Sequence, residues 1–468
     1  MVNVMKSIEC SVAVVGSGSG GIGAALAASR LGVDTVLIEK ESMLGGTSVV
    51  AGVSCWEPVA GATGIPYDIY HELVNIPKAV GIYSMGRHCC HPEHNNPPFP
   101  GGESLVGDKS YRDTLLRSGT RGLKDDEQLC REQWHGVVFE PEQFDMTVRK
   151  MLEDTGRCRI ISNNAVVAVN CNNSSEIASV TLADGTVVKA GLWIDNSGAL
   201  IRFSGAGILI GEDPKSLFNE PGAPDLPKKQ LNGATLIFRI TTIRMAEIEP
   251  RPDYVPASCW WADRFPSMFC VQYPNGDRNC NMLPTMSGKE YIELGETKAY
   301  AECVRRVRSF WHYLQSEYPE FRNYRIKHIF ERIGVRESFR TVCNYMLNEN
   351  DLLQGISRQQ HSDIIALSDH MMDSHGAQGR KSGELHEPYG VPYRCLIPQG
   401  FDNLLVAGRI AGFSSIAASS CRLSRTMMQL GQAAGTAAAL AIEKNCLFPE
   451  VDIQELRSSL IHQRVQLH

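Results

Sequence analysis

One junction near the start of the chain limits its folding choices more than any other feature. An unbroken apolar run, Val12, Ala13, Val14 and Val15, stops at Gly16 and is followed by Ser17, Gly18, Ser19, Gly20 and Gly21. A short continuous apolar run reads as a strand covered on both faces, the form that strands take in a parallel sheet. Residues 10–15 are assigned to that strand, and a helix rich in small residues is predicted over 22–31. Gly32 closes the helix, and a second apolar strand is predicted over 35–39. Strand, glycine loop, helix and strand within roughly thirty residues make the start of a βαβ unit.

The spaced glycines, G-x-G-x-x-G, divide the work. Gly16 permits the tight turn, Gly18 lets a pyrophosphate approach the backbone, and Gly21 lets the helix pack closely on the sheet. The helix N-terminus presents free N–H groups and the positive end of a dipole to phosphate. Glu39, ending the second strand, is placed to accept hydrogen bonds from ribose hydroxyls and would repel a 2′-phosphate. NAD and FAD both remain open from this unit alone.

Composition narrows the partners. Lys and Arg number 46 against 52 Asp and Glu, a formal charge of −6, which argues against nucleic acid. The opening MVNVMKSIEC does not read as a secretory signal, and no stretch is long and charge-free enough for a membrane span. Fifteen cysteines without such a signal point to reduced thiols and a cytoplasmic setting.

Along the chain, 142–154 has helical spacing, and 159–161, 165–169, 178–182 and 187–194 read as strands, the last two joined by a turn at Asp184-Gly185. Strands are expected over 235–240, 268–273 and 403–407. A long helix is expected over 289–317, with Ala301, Val304, Val307, Phe310, Trp311 and Leu314 on its core side. After Gly408, one small-residue helix is expected to run to about 444. Residues 63–136 are dense in Pro, Gly, His and Asn and read as loops and short helices of a substrate cap.

Glu39-Lys40 followed by Leu44-Gly45-Gly46-Thr47-Ser48 resembles the FAD-binding half of the glutathione reductase-type flavoproteins. So does Leu192-Trp193-Ile194-Asp195-Asn196-Ser197-Gly198. Arg332 to Ser338, Pro388 to Cys395, Asn403 to Arg409 and Leu430 to Thr436 resemble a broad, mostly uncharacterised family of FAD-dependent oxidoreductases. The resemblance covers both ends of the chain better than 63–136 and 212–325. It implies an α/β fold: a Rossmann-like FAD-binding domain from 1–62, 137–211 and 385–468, with an inserted mixed α+β substrate domain from 63–136 and 212–384. It further implies a non-covalent FAD, with adenine near Val166 and the flavin chain near Gly198 and Gly408. Backbone groups near Gly435 and Thr436, or in the loop before that helix, would face the isoalloxazine.

The same comparison excludes some chemistry. Where disulfide reductases of this type carry paired cysteines, this chain has Ser48 and Val53, leaving Cys55 alone. No second strand-GxGxxG-helix unit for a nicotinamide cofactor is present, and Gly408-Arg409 stands where monooxygenases have Gly-Asp. The favoured activity is therefore a dehydrogenase or oxidase that takes hydride from a C–H bond of a small organic substrate and passes it to an unknown acceptor. Reduction of an activated C=C bond, as in fumarate reductase-like relatives, is the second reading. A non-catalytic, FAD-stabilised interaction protein is the third.

His375, in Asp373-Ser374-His375, is the candidate proton acceptor. Arg336 and Arg394 either clamp a carboxylate, compensate reduced flavin, or sit in structural ion pairs. Arg422 matches a family arginine on the final segment. The run Arg87-His88-Cys89-Cys90-His91-Pro92-Glu93-His94 is rich in ligand types, but its spacing fits no metal site, and no metal is expected.

Overall fold

The computed structural model describes residues 6–57, 59–61, 63–84, 135–172, 175–262, 267–374, 383 and 385–468. The chain begins with β1 (Ser7–Val15), α1 (Ser19–Arg30) and β2 (Thr35–Ile38). β1 and β2 pair in parallel, with Val12 opposite Thr35 and Val15 opposite Ile38. Val12, Ala13 and Val14 are completely buried, as a strand covered on both faces must be.

α2 (Ile65–Val74) and α3 (Pro141–Asp154) follow, then β3 (Cys158–Ile161), β4 (Val166–Cys171), β5 (Ile177–Leu182) and β6 (Val187–Asp195). The strand order β3-β2-β1-β6-β5-β4 mixes a parallel core with an antiparallel flank formed by β4, β5 and the early part of β6. Gly185 takes the left-handed conformation that the turn between β5 and β6 requires, at φ +84°.

A second sheet is antiparallel and has the order β8-β9-β7-β10, from β7 (Phe238–Thr242), β8 (Ser267–Gln272), β9 (Arg278–Leu283) and β10 (Tyr324–Ile329). α4 (Gly288–Glu317) covers it, burying Cys303, Val307, Phe310, Trp311 and Leu314 against Phe238, Ile240 and Met282. Two details depart from the periodic reading. Ala301 faces solvent, and Gly295 breaks the helix at φ +71°.

The chain then returns to the first sheet. β11 (Leu404–Val406) lies parallel to β6, with Leu405 opposite Ile194. The expected single C-terminal helix is instead two: α5 (Ser415–Ser420) and α6 (Ser424–Lys444), separated by Cys421-Arg422-Leu423. α6 packs along α1, and glycine makes the approach possible. A Cβ at Gly431 would stand 1.8 Å from the Gly20 carbonyl oxygen, and one at Gly435 would stand 2.2 Å from that of Ala24.

The larger core is wider than the FAD-binding segments expected from sequence. Ile65, Ile69 and Leu73 of α2 join it, as do Phe339, Cys343, Leu347 and Ile365. The second core is confined to residues 234–333. Segments 65–74 and 339–366, which fall within the expected substrate domain, bury their apolar side chains with the parallel sheet. The Arg87–His94 run lies outside the described residues. Among the described residues, no helix is long and apolar enough to cross a membrane.

Candidate active site

The first turn of α1 starts from Gly18, with no side chain capping its backbone N–H groups. The loop before it is held by Glu39. One Glu39 carboxylate oxygen accepts from the Ser17 amide and hydroxyl, each at 2.6 Å, and the other accepts from the Glu41 amide at 2.9 Å. The carboxylate, buried at 6% exposure, is thereby fixed at the tip of β2.

The opposite wall is the turn after β6. Asp195 is fully buried and accepts from the Ser197 amide and hydroxyl and the Gly198 and Ile201 amides, at 2.8–3.1 Å. Burial raises its carboxyl above the usual range, while those hydrogen bonds act in the other direction. The turn so fixed aims Asn196 at three glycines. A Cβ on Gly18, Gly20 or Gly408 would come within 2.6, 2.6 and 2.4 Å of the Asn196 carboxamide. A Cβ at Gly18 would therefore displace the Asn196 carboxamide, an effect additional to blocking phosphate approach. Gly21 meets the Gly16 carbonyl oxygen, at 1.7 Å from a built Cβ, so it seats the helix on the loop.

One cavity of about 940 Å³ connects these parts with the second sheet. That is at the upper end of the roughly 300–1,000 Å³ usual for small-molecule sites. Gly16, Gly18, Glu39, Lys40, Gly46, Thr47, Val166, Gly198 and Gly408 line it, together with Arg336. Across from the glycine loops its wall is Thr235, Ile237, Phe269 and Leu283.

Several expected site residues are elsewhere. Gly21 and Ser48 support the wall without lining the cavity; the Ser48 hydroxyl lies 3.4 Å from that of Ser424. Gly435 and Thr436 sit at packing positions on α6, more than two turns along from its cavity end. Gly435 abuts α1, and the Thr436 hydroxyl donates to the Gln432 carbonyl. The helix meets the cavity instead through Leu423, Ser424, Arg425 and Met427, and among the described residues no side chain caps its N-terminus. Arg394 also lies elsewhere. It does not line the cavity, because Asp363 holds it at 3.0 Å and its guanidinium lies over the Tyr345 ring. His375 lies outside the described residues, though Asp373 lines the cavity.

Sequence reasoning gave Arg409 and His370 no part in the site, and both line the cavity, as does Arg422. Arg336 donates to the Gly233 carbonyl and the Thr235 hydroxyl at 2.8 and 2.7 Å. Arg409 donates to the Val335 carbonyl, and Arg422 pairs with Asp373 at 2.8 Å. Desolvation, with the charge of Arg422, pushes Arg336 down to about 9 and Arg409 down to about 10. Cys55 also lines the cavity, where burial and then Glu57 push its thiol well up, so it stays protonated.

A model of the FAD dependent oxidoreductase family matches residues 11–460, and the chain belongs to that family. It is an FAD-dependent enzyme, and the uncapped helix start, the fixed Glu39 and the glycine cradle fit a dinucleotide. The chain is similar to a digoxin reductase of Eggerthella lenta, 25% identical over 199 residues, 39% of this chain and 34% of the relative. It is similar to a 3-oxosteroid 1-dehydrogenase of Rhodococcus opacus, 41% identical over 61 residues, 12% of each. A 4-oxocyclohex-2-ene-1-carboxylate 5-dehydrogenase of Sinomonas cyclohexanicum is 43% identical over 53 residues, 11% of this chain and 9% of the relative. The matched stretches thus span about a third or less of these relatives. Among solved structures, a geranylgeranyl bacteriochlorophyll reductase-like protein of Thermoplasma acidophilum superposes with a TM-score of 0.47 at 12% identity, covering 98% of this chain and 84% of that one.

Proposed function

We propose, from membership of the FAD dependent oxidoreductase family, that this chain holds one non-covalent FAD in a glutathione reductase-type site and exchanges hydride with a small organic molecule. The favoured direction is that of a dehydrogenase or oxidase. The observation that carries this reading is the continuity of one cavity from Glu39 and the α1 N-terminus to Thr235, Phe269 and Arg336.

Bound FAD supplies the hydride acceptor. The rest is the work of the chain. Glu39, Lys40 and Val166 receive the adenosine end, and the amides of the Gly16–Gly21 loop, Gly46 and Thr47 receive the pyrophosphate. Gly198 and Gly408 would line the path of the remaining cofactor chain, Gly408 beside Asn196. The amides at the start of α6, which meets the cavity, would stabilise negative charge on a bound flavin. Ile237, Phe269 and Leu283 exclude water from the far wall. His375 takes the proton, with Asp373 on the same segment bringing the chain to the cavity. The FAD-binding unit takes 1–62, 137–211 and 385–468 and shares its core with 65–74 and 339–366, and the cap takes the rest of 63–136 and 212–384. The thiol-rich composition supports a cytoplasmic setting.

The test is purification followed by anaerobic screening of metabolites for bleaching of the flavin. A colourless protein whose extract contains NAD defeats the reading.

Reduction of an activated C=C bond is the second reading, favoured by the similarity to a digoxin reductase. It requires that an enone or enoate reoxidise the reduced enzyme without oxygen. The two dehydrogenase relatives favour the first direction.

A further inference from the structure

The cavity's electrostatics are unequal along its length. Near the second sheet, Arg336, Arg409 and Arg422 share its wall with Asp373, Glu57 and His370. Asp373 is taken by Arg422 at 2.8 Å, and Glu57 stands 3.9 Å from His370. Arg336 and Arg409 are held by neutral acceptors: the carbonyls of Gly233 and Val335 and the Thr235 hydroxyl. Among the described residues, neither forms an ion pair. A guanidinium has five N–H donors, and these bonds use only part of each set. Desolvation and the charges of Arg422 and Arg409 outweigh the pull of Asp373 and Glu57 on Arg336, so burial leaves these cations raised in energy until a further anion joins them.

Apolar surface stands beside this charge, from Ile237, Phe269 and Leu283. Charge at one point and an apolar wall beside it suit an organic acid, since an inorganic anion would leave the wall unused. Reduced flavin does not account for both guanidiniums, because the uncapped start of α6 already faces the cavity.

We propose that the substrate is a small organic carboxylate whose carboxylate group is bound by Arg336 and Arg409, with Arg422 positioned by Asp373 as the third cation. This rests on the FAD-dependent reading of the same cavity. The carboxylate accepts charge-assisted hydrogen bonds from donors that Gly233, Thr235 and Val335 hold in place. The hydrocarbon part lies on Phe269 and Leu283, and the charge sets which carbon faces the cofactor.

The test uses purified, oxidised holoenzyme at constant ionic strength, where no reduced-flavin charge competes. Succinate and benzoate are titrated against succinamide and benzamide, read by flavin absorbance and by calorimetry. The carboxylates should bind at least about tenfold more tightly than the amides. Arg336→Met should remove most of that preference at unchanged FAD content, and Arg336→Lys should restore part of it. Arg409→Met is the parallel variant should Arg336→Met not fold. A yellow enzyme that binds amide and carboxylate equally, or whose preference survives both Met variants, overturns the carboxylate assignment and leaves the FAD reading standing. A protein that carries no FAD overturns both.

Discussion

Gly435→Ala separates helix packing from cofactor contact. Gly435 lies inside α6 where it crosses α1, and an added Cβ would stand 2.2 Å from the Ala24 carbonyl oxygen and 2.9 Å from the Ala27 Cβ. The first neighbour is backbone and has no rotamer to escape into, so the helices must part. In an unobstructed helix, alanine would gain about 1 kcal/mol over glycine. Overpacking a tight contact costs roughly 1–3 kcal/mol. With contact this short the upper part of that range applies, leaving a net loss of about 1–2 kcal/mol. In a chain of this size that is a fall in Tm of about 1–2 °C. The assay is a thermal melt followed by intrinsic fluorescence, with FAD per chain measured on the same preparation. Gly435→Ala should lower Tm and keep its FAD. Gly431→Ala is the contrast. Its Cβ would meet the Gly20 oxygen at 1.8 Å, and Gly20 lines the cavity, so FAD retention should fall with Tm. A Gly435→Ala protein that loses FAD with Tm unchanged would refute the packing assignment and return Gly435 to the cofactor.

Gly18→Glu should give a folded but colourless protein, checked by circular dichroism and absorbance, because even its Cβ would lie 2.6 Å from Asn196 and its carboxylate would meet phosphate. Cys55→Ser should leave the dithionite titration at the electron uptake of flavin alone, since the buried thiol has no partner at Ser48 or Val53; extra uptake by the wild type in the absence of metal would reveal a hidden disulfide. His375→Ala should slow flavin reduction by roughly 10²–10⁴ in stopped flow while FAD remains bound. An unchanged rate removes His375 from the chemistry. The Arg87–His94 run should carry no stoichiometric zinc or iron after chelator-free purification, and one metal per chain would contradict this.

What sequence made legible was local. The β1-loop-α1-β2 unit follows from an apolar run, glycines and a terminal acid that are neighbours in the chain, and its register needs only the parallel pairing of Val12 with Thr35. The break between α5 and α6 was hidden for the opposite reason. Cys421-Arg422-Leu423 contains neither glycine nor proline, and nothing in the small residues around it ends a helix. Long-range contacts accompany the break: Arg422 reaches Asp373, 49 residues earlier, and Ser414 caps α5 while bonding Glu220.

The arginines show the same limit most sharply. Arg394 and Arg409 both follow motifs that resemble flavoprotein turns, and nothing within a few residues of either tells a clamp from a structural ion pair. The difference lies in which carboxylate the fold brings near. Asp363 comes from β-structure paired with the Tyr389–Pro392 strand, so it meets Arg394 as a consequence of sheet register. That pairing is made away from the cavity, so Arg394 does not reach a ligand held there. Arg409 follows β11, whose pairing with β6 carries it to the cavity beside Asn196, where the described structure supplies only the Val335 carbonyl. A cation is therefore available to a ligand here because strand pairing supplies no acid, a property of topology that no motif around the arginine encodes.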